Sequence, residues 1–142
     1  MQQDYHAVII NISQIDKSIF ERYKILDIKK RFLGLLKLYR INVPETDIEN
    51  AAKEVQLNMS TKLKKEWYAT FYNAERCIIV FRKKVFHLST NGIYPVYQQK
   101  INTARADEKI KWDEMLMYAK TLGIPDKQLD FLPSDYKIEV YC

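Results

Sequence analysis

The chain has 142 residues, 47% apolar and 13% aromatic, which is enough material for one sizeable core and excludes a largely disordered chain. Its 23 basic and 18 acidic residues give a net charge of +5, a weak pull toward anionic partners because the two signs are interspersed. No apolar run reaches the roughly 18–20 residues of a membrane span, and the opening segment lacks the basic region and cleavage site of a signal peptide. A single cytoplasmic domain over residues 1–142 with no membrane partner is therefore expected, with a mobile tail from about residue 134.

Tyr5 to Ser13, "YHAVIINIS", is short, β-branched and bounded by polar residues, as a buried strand is. "SIFE" at Ser18 to Glu21 has the capping-box form, which predicts a short helix from about Ile19. Leu35, Lys37, Tyr39, Ile41 and Val43 then alternate up to Pro44, predicting a second strand over about 33–43. A second capping box, Thr46 to Glu49, precedes Ile48, Ala51, Ala52, Val55 and Met59 at steps of three and four, the spacing of one helix face.

From Glu66 the pattern changes to a meander of three strands. Trp67, Ala69 and Phe71 share one side of the first, Tyr68, Thr70 and Tyr72 the other, and Asn73 to Glu75 supply the turn into Cys77 to Phe81. The third strand begins near Val85, with His87 and Ser89 on the face opposite Phe86 and Leu88. Residues of about 90–104 form a long irregular stretch containing Gly92, Tyr94, Pro95 and Tyr97. A last helix from about Ala104 carries Trp112, Met115, Leu116, Ala119 and Leu122 on its apolar side. Gly123 then fits the left-handed C-cap position, Ile124 its apolar contact and Pro125 the stop.

This order predicts an α+β fold, a two-layer sandwich in which amphipathic helices cover one face of a mostly antiparallel sheet. A ferredoxin-like variant is the leading topology.

Candidate sites are few. Arg82, Lys83 and Lys84 lie between two strands, where cations are free to meet phosphate or simply to solvate a turn. Lys29 to Arg31 and Lys62 to Lys65 raise the same choice, and convergence of the three basic stretches on one face would favour an anionic partner. His87 is of the residue type used for general acid or base work, but the chain from Phe86 to Val96 offers it no carboxylate; His6 is similar. Cys77 sits in an apolar run and reads as a buried, inert thiol, and Cys142 as a second free one.

Metal and cofactor sites are not expected. No Cys-x-x-Cys or His-x-x-x-His spacing occurs, Asp107, Glu108, Asp113 and Glu114 lack a Glu-x-x-His cluster, and Gly34, Gly92 and Gly123 are too scattered for a phosphate loop. Ten tyrosines suit an interface or, on an exposed strand face bordered by lysine, a base-stacking platform, although no aromatic-glycine-aromatic motif is present.

Three functions follow from these residues. The first is a non-enzymatic interaction or binding domain, homodimeric or with a protein partner. The second is a nucleic-acid or nucleotide binder using Arg82, Lys83, Lys84, His87, Tyr94 and Tyr97. The third is an enzyme built around His87 with partners from distant segments. The first leads because each catalytic scheme lacks at least one component.

Overall fold

Tyr5, Ala7 and Ile9 have no solvent exposure in the computed structural model, while His6, Val8 and Ile10 between them are half-buried. The structure describes residues 4–31, 33, 36–63, 65–73, 75–89 and 106–124. The strand β1 (Tyr5–Ile10) pairs antiparallel with β3 (Leu36–Val43), Tyr5 facing Val43 and Ile10 facing Leu38. Beyond β3 lies β2 (Lys24–Arg31), also antiparallel, where sequence periodicity predicts no strand. Its register shifts between Ile25 and Asp27, and the bulge sets Asp27 opposite Arg40, where Nη2 reaches the carboxylate at 2.6 Å.

With β4 (Tyr68–Tyr72), β5 (Arg76–Phe81) and β6 (Val85–Ser89), these strands form one antiparallel sheet in the order β2-β3-β1-β4-β5-β6. Six strands and a few helices make the mixed α+β class expected from the sequence. The chain divides into two compact units, Met1–Phe71 with Ile79–Val85, and Tyr72–Ile78 with Phe86–Cys142.

In the first unit, α1 (Ile19–Arg22) buries Ile19 and Phe20, the latter with its ring 4.4 Å from that of Tyr39. Ser18 stands at its N-cap without a side-chain cap bond; its own N–H instead donates to Asp16 Oδ1 at 2.8 Å. The helix α2 (Ile48–Leu57) buries Ile48, Ala51, Ala52 and Val55, with Met59 just beyond it, the face expected from the spacing. Its capping box does not form. Asp47 N–H donates to Pro44 O at 2.9 Å, closing a 3-10 turn over Glu45–Asp47 that moves the N-cap from Thr46 to Asp47. Thr46 and Glu49 then no longer span the cap-to-N3 distance.

Polar side chains fasten the helices. Arg22 pairs with Glu54, joining α1 to α2. Buried Gln14 donates from Nε2 to Val55 O at 3.1 Å, and Gln56 from Nε2 to Phe81 O at the same distance. Ile15 N–H reaches Asn58 O and Ser60 N–H reaches Ser13 O, each at 2.7 Å, so the chain leaving β1 is laced to the chain leaving α2.

In the second unit, Asn73 Oδ1 accepts from the N–H groups of Glu75 and Arg76 at 3.0 and 2.9 Å, the asparagine turn expected between β4 and β5. The helix α3 (Ala106–Thr121) buries Trp112, Met115, Leu116 and Ala119 as expected, and Trp112 Nε1 donates to Ser89 O at 3.2 Å. Phe86 on β6 meets Tyr118 with ring centroids 5.5 Å apart. Gly123 has φ +83°; its N–H donates to Lys120 O at 3.0 Å, and Ile124 N–H to Ala119 O at 3.3 Å, which is the Schellman arrangement. The irregular stretch with Tyr94 and Tyr97, the start of the last helix near Ala104, Pro125 and the tail from about 134 lie outside the described residues.

An aromatic platform does not emerge on β4. Ala69, Thr70, Phe71 and Tyr72 are all buried, and Tyr68 is half-buried, its ring 6.1 Å from Phe81. From Cys77 to Phe81 β5 is buried throughout, so no polar row alternates along either central strand.

Two stability predictions follow from this packing. Gly123→Ala meets no atom within 4 Å, so its cost is the left-handed backbone alone, about 1 kcal/mol, read as a lower urea midpoint with an unchanged slope. Burial pushes the Cys77 thiol well above its ordinary pKa. An unfolded thiol ionises near about pH 8.5. The native state therefore keeps the proton longer, and this contribution is full below that pH and falls above it by up to about 1.4 kcal/mol per pH unit. With Cys142 replaced by Ser, urea unfolding followed between about pH 8 and 10 should show that slope and lose it in Cys77→Ala.

A cationic strand end as candidate functional site

Antiparallel pairing decides where the connections fall. Ile10 marks the end at which β1 leaves the sheet; there β2 also finishes, β3 and β4 begin, and β5 finishes. Consequently the β2–β3 connection, the approach to β4 and the β5–β6 turn gather at one end of the first unit. The C-terminal end of α2 lies there too, held by Gln56 to Phe81 O and by Asn58 to Ile15.

Those connections carry the three basic stretches. Lys29 to Arg31 end β2, Lys62 to Lys65 lead into β4, and Arg82 to Lys84 follow β5. Lys30, Lys62, Lys65, Lys83 and Lys84 are exposed, while Lys29 and Lys37 are half-buried. From β2 to β5 is four strand spacings of about 4.8 Å, roughly 19 Å, so the cations form a row along the strand end. The three basic stretches thus share one end of the sheet.

Within the row the residues differ in kind. Arg82 is half-buried, and Nη2 donates to Glu66 Oε1 at 3.0 Å; the Glu66 side chain is 10% exposed. Arg82 Nε is buried without a hydrogen-bond partner, so this arginine is a structural tie more than a ligand for solution anions. Phe81 N–H donates to Lys84 O at 2.8 Å, closing a tight turn with Lys83 at its outer corner. Lys17 is also structural: its ammonium donates to the carbonyls of Asn11 and Gln14, the latter at 2.7 Å, and desolvation lowers its pKa.

Glu66 escaped sequence reasoning, yet a signal was present. Counting back along the hairpin from the Asn73–Arg76 hydrogen bond places Tyr68 opposite Phe81, as their ring contact reflects, and brings the residues before β4 beside Arg82.

The other candidates are dispersed. His87 is exposed on β6 in the second unit, and Tyr94 and Tyr97 fall outside the described residues. His6 faces Asn42 near the opposite end of β1. Cys77 is fully buried, and Asp113 and Glu114 are exposed on α3. Among the described residues no group of three or more His, Cys, Asp or Glu side chains is placed to hold a metal ion. Comparison with protein-family models, curated proteins and solved structures gives no match to this chain.

The division within Arg82 to Lys84 is measurable. Arg82→Ala strands the Glu66 carboxylate and should cost about 2 kcal/mol, between the about 1 of an exposed pair and the about 3–5 of a buried one. Lys83→Ala should stay within about 0.5 kcal/mol in urea unfolding. Equal effects from the two would remove the distinction.

Proposed function

We propose that the protein is a non-enzymatic binding domain that takes an anionic partner at the cationic strand end. One observation carries this reading: three basic stretches far apart in sequence meet at the same end of the sheet. Catalytic alternatives draw less support, since the Cys77 thiol is buried and held protonated and His87 is exposed on β6. A homodimer through the β2 edge is the second reading. Exposed Ile25 and Ile28 support it, whereas the bulge and the lysines that blunt this edge weigh against it.

The finer fold reading goes with the function. We take the first unit as a two-layer, ferredoxin-like variant. Two features support this: β3 lies between β1 and β2, whose connection holds α1, and β1 lies between β3 and β4, whose connection holds α2.

Retention on immobilised heparin tests the binding reading. Charge reversal of Lys62, Lys65 and Lys83 should move elution to clearly lower salt, whereas reversal of Lys24, Lys53 and Lys111, exposed elsewhere, should move it much less. Equal shifts in the two triple variants would mean that net charge alone governs retention and would overturn the reading.

A further inference from the structure

The four most exposed large apolar side chains among the described residues are Leu33, Leu57, Leu63 and Ile15, at 106, 72, 71 and 70%. All four lie at the cationic strand end. Leu33 is in the β2–β3 connection and Leu57 ends α2. Ile15 follows the exit of β1, hydrogen-bonded to Asn58, and Leu63 lies between exposed Lys62 and Lys65. Scattered single exposed aliphatic side chains need no explanation, but four gathered where the lysines gather do.

Leu33 is the sharpest case. Its backbone has φ +58°, a conformation that glycine or asparagine adopts at less cost, and its side chain packs against nothing that would repay the strain. A residue that serves the fold neither by conformation nor by burial marks a place where an external partner is expected.

Resting on the anionic-partner reading above, we propose that this end docks on the surface of an anionic lipid bilayer. Leu33, Leu63, Ile15 and Leu57 enter the headgroup region, while Lys30, Lys62, Lys65, Lys83 and Lys84 lie against the charged surface. The chemistry favours a bilayer over a nucleic acid. Among the described side chains at this end the outward cations are lysines, the arginine of the β5–β6 turn is engaged with Glu66, and the exposed apolar groups are aliphatic. Nucleic-acid sites pair cations with aromatic rings that stack on bases, whereas interfacial membrane sites pair lysine with aliphatic side chains. Trp67 is buried and Tyr68 half-buried against Phe81, so neither of these nearby rings offers an open stacking face. No helix among the described residues is long and apolar enough to cross a membrane, and surface docking requires none.

Co-sedimentation of the full chain with vesicles tests the proposal, comparing phosphatidylcholine alone with phosphatidylcholine containing phosphatidylserine. The protein should sediment with the anionic vesicles and not with the neutral ones. Leu33→Ser combined with Leu63→Ser should weaken vesicle binding by at least about tenfold and leave heparin elution unchanged, since both side chains are exposed. Reversal of Lys62, Lys65 and Lys83 should weaken both. Heparin retention that depends on this end, without sedimentation on anionic vesicles, would overturn the membrane proposal and leave anion binding standing; loss of the end-specific heparin effect removes both. Vesicle binding indifferent to the leucine changes, or a short RNA that displaces the vesicles and binds the double-serine variant equally well, would also overturn it.

Discussion

Burial of Tyr5, Ala7 and Ile9 fixes which way β1 faces. A slip of one residue would turn His6, Val8 and Ile10 inward and carry three fully covered side chains into solvent. Because β1 lies between β3 and β4, its direction is passed to both neighbours and through them to β2 and β5. The gathering of connections at one end follows from the antiparallel pairing on either side of β1, as does the meeting of cations separated by more than fifty residues of chain. No local preference in any one basic stretch needs to specify it.

Local chemistry in the sequence identified the elements that local chemistry decides. The α2 face is a repeat of three and four steps, the asparagine turn is made within four residues, and the α3 C-cap needs only Gly123 followed by Ile124. What escaped depends on pairing across the chain. β2 looks like a solvated basic stretch because an edge strand with lysine on it lacks the alternation of a core strand, and only β3 beside it defines it as a strand. Both capping boxes matched by spacing yet did not close, one because Asp16 occupies the Ser18 N–H and the other because Pro44 starts a 3-10 turn. The strand tyrosines looked available for stacking, but Tyr72 is fully buried and Tyr68 is half-buried, as large amphipathic rings often are. Of the candidate site, the lysines were legible singly; their convergence was not, since it depends on strand polarity, which no single stretch encodes.

The same end carries two features that work against the fold. Like charges repel along a row roughly 19 Å long. Exposed leucine and isoleucine beside them gain nothing from burial in the core. The supporting bonds lie immediately behind: Gln14 to Val55, Gln56 to Phe81, and the rung between Ser13–Ile15 and Asn58–Ser60. These are backbone or amide bonds, indifferent to pH and weakly sensitive to salt, so conditions that alter the outer charges leave the frame in place.

The Arg82–Glu66 tie has a kinetic and entropic side as well. It holds the β5–β6 turn from behind, while the Phe81–Lys84 hydrogen bond closes it from within. Lys83 is therefore presented from a backbone already ordered during folding, and less conformational freedom remains to be lost when a partner arrives. Loosening the tie would leave every outward charge where the sequence puts it and still make the turn a poorer ligand, because its ordering would then be deferred to the encounter itself.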